Sequence, residues 1–134
     1  MRMRKLFYIS VLLLSFCACK KENNANSFQG SYQGTFRSSV NNQYTISEAE
    51  IELSSPNFKV NKGPKLGSGV FKVEDKMHIT FTDKNVWTTD FDFNIVLDGE
   101  YKYEALGDSL ILTKYVTGPT NGINYYQYRL KRAE

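Results

Sequence analysis

The feature that most constrains this chain is a run of alternating residues that begins at Asp90 and continues towards Leu112. Phe91, Phe93, Ile95 and Leu97 occupy every second position with Asp92, Asn94 and Val96 between them, close to the pattern of a strand buried on one face. Asp98-Gly99 then signals a turn. Tyr101, Tyr103 and Ala105 alternate against Glu100, Lys102 and Glu104, and Gly107-Asp108 leads into Leu110-Ile111-Leu112. Opposed residues in a hairpin share a face, so parity tests the register. A two-residue turn at Asp98-Gly99 would set Ile95 against Lys102 and is rejected. A three-residue loop, Leu97-Asp98-Gly99, with Gly99 left-handed pairs Ile95 with Tyr101 and Phe93 with Tyr103. A two-residue turn at Gly107-Asp108 pairs Ala105 with Leu110 and Tyr103 with Leu112. One apolar face then runs through three antiparallel strands.

The rest of the chain repeats this grammar. Tyr32, Gly34 and Phe36 alternate in Gly30 to Ser38, and Tyr44 to Leu53 changes parity between Ile46 and Ala49, which predicts a bulge near Ser47-Glu48. Asn57 to Val60 is a short strand. Gly67, Gly69, Phe71 and Val73 share a face, as do Met77, Ile79 and Phe81, and a loop at Glu74-Asp75-Lys76 would pair Val73 with Met77 and Phe71 with Ile79. Gly67 and Gly69 are read as letting the sheet bend sharply or as leaving room over Phe81. Tyr126, Tyr128 and Leu130 face one way on the last strand, after a loop over Thr117 to Gly122. No stretch reads as a helix. Nine Tyr and nine Phe against one Trp suit strands. The expected fold is all-β, an antiparallel up-and-down barrel of eight or nine short strands over residues 28–134, because closure covers every apolar face and removes the edges. A two-sheet sandwich is the competing architecture.

The N-terminus is a separate object. Met1-Arg2-Met3-Arg4-Lys5 is basic, and the apolar run Leu6 to Phe16 is too short to span a bilayer, which takes about 20 residues as a helix. Residues 1–18 are therefore read as a signal peptide. Phe16-Cys17-Ala18-Cys19 resembles the lipobox of bacterial lipoproteins, with Cys19 as the lipidated residue because small Ala18 precedes it; an ordinary cleaved signal with incidental cysteines is the alternative. Residues 19–27 make a polar tether. The exported domain then has no cysteine for a disulfide or a thiolate metal site. Loss of Arg2, Arg4 and Lys5 leaves 14 basic residues against 14 acidic ones. A neutral domain has no general attraction for nucleic acid.

Several of these stretches together resemble small lipocalin-like bacterial lipoproteins: Gly30-Ser31-Tyr32, Gly67-Ser68-Gly69-Val70-Phe71, Trp87 to Phe93, Gly99 to Tyr103, Gly107 to Leu112, and the closing Tyr126, Tyr128 and Leu130. The resemblance implies a barrel, a lipid anchor in the cell envelope, and, with Lys20 rather than Asp after the lipidated cysteine, the outer membrane. Where lipocalins carry Gly-x-Trp with a basic residue packed over the Trp, this chain has Tyr32, with Arg129 as the candidate basic partner.

Catalytic signals are scarce. His78, the single histidine, alternates against Met77 and Ile79 and reads as solvent-facing; Asp90, Asp92 and Asp98 lack the spacing of a calcium loop. No enzyme, metal or cofactor is expected, and the domain is expected to be a monomer. Phe36, Phe71, Phe81, Trp87, Phe91, Phe93, Tyr101, Tyr103, Tyr126 and Tyr128 are the candidate barrel lining. They form either a solid core or a pocket for a small apolar or amphipathic ligand. A protein-interaction or inhibitor module acting through its loops is the other functional class. Mass spectrometry of the mature protein should find acylated Cys19 at the N-terminus, and Cys19→Ser should release the protein from membranes; an unmodified N-terminus elsewhere would refute the lipobox.

Overall fold

A computed structural model describes residues 28–119 and 122–134; residues 1–18 and 19–27, read above as signal peptide and tether, lie outside the described residues together with Cys17 and Cys19. Eight strands, β1 (Gly30–Val40), β2 (Gln43–Ser54), β3 (Asn57–Lys62), β4 (Ser68–Val73), β5 (His78–Asp83), β6 (Gly99–Leu106), β7 (Ser109–Thr117) and β8 (Ile123–Arg132), pair antiparallel in chain order. β1 also pairs with β8, from Tyr32↔Arg132 to Ser39↔Tyr125, so the sheet closes on itself. This is the all-β, up-and-down barrel of lipocalin-like topology. It has eight strands, and no second sheet is needed to cover the apolar faces.

Turn chemistry sets several registers. Asn41 and Asn42 both take left-handed φ (50° and 64°), the backbone that a tight two-residue hairpin requires, and Val40 accordingly faces Gln43. Gly107 is left-handed as well (φ 61°), and Ala105↔Leu110 and Tyr103↔Leu112 pair as parity predicts. The β4–β5 hairpin keeps the predicted faces but slides by two residues, to Phe71↔Phe81 and Val73↔Ile79. The cause is Asp75, whose carboxylate accepts the main-chain N–H of Met77 (2.7 Å) and of His78 (2.8 Å) and faces His78 Nδ1 (2.9 Å), fixing the turn one step further along.

Further expectations fail. The run Asp90 to Leu97 is not a strand. Asp92 instead accepts from the Asn94 N–H (3.0 Å) and its side-chain amide (3.0 Å), opening a 3-10 turn over Phe93–Ile95. Asp and Asn side chains compete with the sheet ladder in this way. The partner predicted for Tyr101 is taken by Ile79 of β5. Phe91 and Phe93 therefore sit in a loop outside the barrel, as does Trp87, and they do not line its interior. Nor does β2 bulge near Ser47-Glu48: its register with β1 is unbroken from Gly30↔Leu53 to Val40↔Gln43. Tyr44 and Ile46 simply face outward, and the irregularity falls between Glu50 and Ile51 on the β3 side.

The core is a column of rings and aliphatic chains. Phe36, Phe71, Phe81, Tyr101, Tyr126 and Tyr128 are all at most 4 % exposed, packed with Ile51, Leu53, Ile79, Leu110 and Leu112. Phe81 stands edge-on to Phe58 (5.2 Å) and Tyr101 (5.7 Å), and Phe36 tilts against Tyr128 (4.8 Å), arrangements that add to simple area burial. Phe28 closes one end, edge-on to Tyr103 at 5.1 Å. Tyr32 lies on the inner face of β1, and the cation over it is Arg132, not Arg129. The guanidinium donates to the Tyr32 hydroxyl at 2.8 Å because Arg132 is its register partner; Arg129 faces outward and bonds Gln127 (2.7 Å).

Two glycines let strands approach. A Cβ on Gly34 or on Gly69 would come 1.9 Å from the carbonyl oxygen of Arg129 or Thr82 respectively. Gly34→Ala and Gly69→Ala should each cost roughly 1–3 kcal/mol in denaturant unfolding, the usual scale of overpacking, whereas Tyr44→Ser on the outer face should stay within about 0.5 kcal/mol of the parent. Equal stability across all three would argue against the closed register.

Candidate functional site

The β5–β6 connection, residues 84–98, lies across one mouth of the barrel and is held there by side chains rising from the strands beneath it. Tyr126 on β8 donates its hydroxyl to Asp92 at 2.5 Å. Lys114, on the inner face of β7, donates to the main-chain oxygen of Asp98 (2.8 Å) and stands 4.9 Å from the centroid of the Tyr101 ring. Tyr101 donates to the carbonyl of Val96 (3.4 Å). Val96 and Leu97 are buried. These two adjacent residues, at the end of the run read as a strand, thus stopper the mouth.

Electrostatics follow the packing. Burial pushes the Tyr126 hydroxyl up to about 12, reinforced by its hydrogen bond to the Asp92 carboxylate. For Asp92, burial works against ionisation, but the bonds from Tyr126 and Asn94 outweigh it and hold the carboxyl below its ordinary value. Burial depresses the Lys114 ammonium, with Asp98 and Asp92 opposing. Tyr128 is raised by burial alone, and its hydroxyl is buried without a hydrogen-bond partner among the described residues.

On the solvent side the same loop builds an aromatic platform. Phe91 and Phe93 stack (4.9 Å, 25° between planes), and Trp87 meets Phe91 edge-on (5.9 Å, 81°). Lys65, from the β3–β4 loop, places Nζ 3.8 Å from the Phe91 centroid. Asp83 organises the base of the platform: it accepts from Trp87 Nε1 (2.8 Å), the Asn85 N–H (2.8 Å) and the Asn85 amide (3.0 Å), while its own N–H donates to Asp98 (2.8 Å). Gly67 leaves the space, since a Cβ there would come 2.6 Å from Asp83 Oδ2. Val86 is fully exposed, Leu66 60 % and Phe93 47 %. A cleft of about 170 Å³ opens between Asp83, Asn85, Trp87, Phe93, Val96 and Asp98.

The opposite end carries a larger cleft, about 710 Å³, whose walls include Phe28, Tyr32, Met77, Tyr103, Leu110 and Arg132. The ten residues expected to form one lining are therefore split. Phe36, Phe71, Phe81, Tyr101, Tyr126 and Tyr128 fill the interior; Tyr103 belongs to this lower cleft; Trp87, Phe91 and Phe93 form the upper platform. Clefts of about 710, 360, 300, 230 and 170 Å³ indent the described surface, and none of these has any of the six interior rings in its walls. Lys65, Asp83 and Lys114 escaped the sequence reading. Lys114 is legible in retrospect, because it shares parity with the buried Leu110 and Leu112. No group of three or more His, Cys, Asp or Glu side chains among the described residues is placed to hold a metal ion.

Compared with protein-family models, curated proteins and solved structures, the chain gave no match. The lipocalin-like character therefore rests on the barrel itself.

Tyr126 and Tyr128 should separate in mutagenesis. Tyr128→Phe removes an unpaired buried hydroxyl and should stabilise by about 1 kcal/mol, while Tyr126→Phe breaks the latch to Asp92 and should destabilise by about 1–2 kcal/mol. With its folded value raised above that of the unfolded chain, Tyr126 contributes stability that is whole below pH 10 and lost as pH rises towards 12. Chemical denaturation from pH 9 upward should show this decline, shallower in Tyr126→Phe and still present there because burial also raises Tyr101 and Tyr128. An unchanged slope would remove Tyr126 from the account.

Proposed function

We propose that this chain is a lipid-anchored cell-envelope protein that acts by binding, without catalysis, and that its barrel is a solid pedestal presenting an interaction surface at the loop end. The observation that carries this reading is the filled interior: rings packed in tilted and edge-on contact from Phe36 to Tyr101 leave the inside to side chains, Phe28 shuts one end, and residues 84–98 shut the other. An eight-stranded barrel has an interior just wide enough for side chains or for one small ligand, and here the side chains take it. The exposed apolar residues at loop tips, Leu66, Val86 and Phe93, are the kind that mark contact surfaces.

The anchor follows from the lipobox-like Phe16-Cys17-Ala18-Cys19. Phe28, where the tether enters, packs against Tyr103 at the end opposite residues 84–98. Attachment through Cys19 would then join the bilayer to the end of the barrel opposite the platform. A neutral mature domain fits a monomer that recognises a partner by shape and local contacts rather than by net charge.

Photo-crosslinking from position 86 or 93 in intact cells, followed by mass spectrometry, should capture one dominant envelope partner, lost in Val86→Asp and Phe93→Asp. Capture that is diffuse, or indifferent to both substitutions, would end this reading. A second reading has its own observation. The lower cleft of about 710 Å³, with Phe28, Tyr103 and Met77 beside Arg132, offers an apolar wall and a cation to a small amphipathic ligand. Displacement of a fluorescent fatty-acid probe, sensitive to Phe28→Ala, would support that site and leave the loop end unaffected.

A further inference from the structure

The small cleft beside the platform has a chemistry of its own. It is walled by two aromatic rings, Trp87 and Phe93, and by the carboxylates of Asp83 and Asp98, with Asn85 and Val96 completing it. Trp87 is edge-on to Phe91, and Phe93 lies nearly parallel to Phe91, so the indole and the Phe93 ring are steeply inclined to each other and form two sides of a corner. Trp87 donates its Nε1–H to Asp83 at 2.8 Å, which enriches the indole face in electron density. Asp83 is satisfied by neutral donors only, and Asp98 Oδ1 accepts the Asp83 N–H. Among the described residues neither carboxylate is in an ion pair. Lys114 bonds the main-chain oxygen of Asp98 from inside the barrel (2.8 Å), and neither it nor Lys65 is among the cleft walls.

We infer that this corner is a binding site for an alkylated ammonium group. Aromatic faces attract such cations through the ring quadrupole, and alkylation lowers the cost of taking the charge out of water, which is the logic of aromatic cages for choline and methylated lysine. The chain shows the same preference one ring away, where Lys65 holds its ammonium 3.8 Å from the Phe91 centroid and 5.9 Å from that of Trp87. Two carboxylates disfavour phosphate or carboxylate ligands, and about 170 Å³ admits one small head group rather than a lipid chain or a folded segment. The inference deepens the proposed loop-end interaction by naming the chemistry of one pocket in it.

Trp87 is the single tryptophan of the chain, so its fluorescence reports this cleft alone. Choline chloride, titrated at constant ionic strength into the purified mature domain, should change the Trp87 emission saturably. Its uncharged carbon isostere, dimethylbutanol, should not. Phe93→Leu, which keeps an apolar side chain but no ring, and Asp98→Asn should each weaken choline about tenfold, and Lys65→Ala should not. Parallel titrations with phosphatidylcholine vesicles and with a peptide bearing trimethyl-lysine identify which carrier presents the group. Absence of saturation, equal binding of dimethylbutanol, or indifference to both Phe93→Leu and Asp98→Asn would overturn the inference. Each of these outcomes is read on the isolated domain and is independent of whether cell crosslinking finds a partner.

Discussion

The ladder between β1 and β8 is the contact on which the remaining geometry depends. A sheet of eight short strands has two edges, each a row of unpaired amides and carbonyls open to association with other chains. Joining Tyr32 through Ser39 to Arg132 through Tyr125 removes both edges at once. It also turns eight half-buried faces into one shared interior. Gly34 sits in the middle of this seam, where any side chain would run into the backbone of Arg129. The Tyr32–Arg132 pair then holds the seam at the end nearest Phe28.

Closure also decides where chemistry can lie. Once the rings are gathered inside, they satisfy one another by edge and face contacts, and the polar atoms among them need specific partners. Tyr101, Tyr126 and Lys114 find theirs in residues 84–98. The loop is thereby fastened from within by groups that are buried only because the barrel is closed. Its outward side is left to display Trp87, Phe91 and Phe93 on a base ordered by Asp83. Rigidity of the pedestal and definition of the platform share one origin.

Much of the barrel was legible because alternation and turn chemistry agree across most hairpins. Tyr101, Tyr103 and Ala105 against Leu110 and Leu112 is such a case, and the structure keeps that pairing. The misreading of Asp90 to Leu97 has a definite source. Period two records only that alternate residues are apolar; it does not record that the Asp92 carboxylate accepts both the main-chain N–H and the side-chain amide of Asn94 and so bends the chain. Gly99 was correctly read as left-handed (φ 85°), yet it begins β6 after a long connection rather than closing a hairpin. The parity change in β2 misled for another reason: Tyr44 and Ile46 are apolar residues on an outer face, which sequence cannot distinguish from core. The platform was beyond reach, since it joins Lys65 and Gly67 to residues about 20 positions later.

One further property follows from the way the ends meet. Ala133 donates its N–H to the carbonyl of Ser31 at 2.8 Å, so the first and last strands leave the barrel side by side on the rim opposite residues 84–98. A short peptide could join them without distorting either, and new termini could be opened in an exposed turn such as Asn41-Asn42. Any label or carrier fused at the C-terminus will sit at the Phe28 end of the barrel and leave the aromatic rim unobstructed.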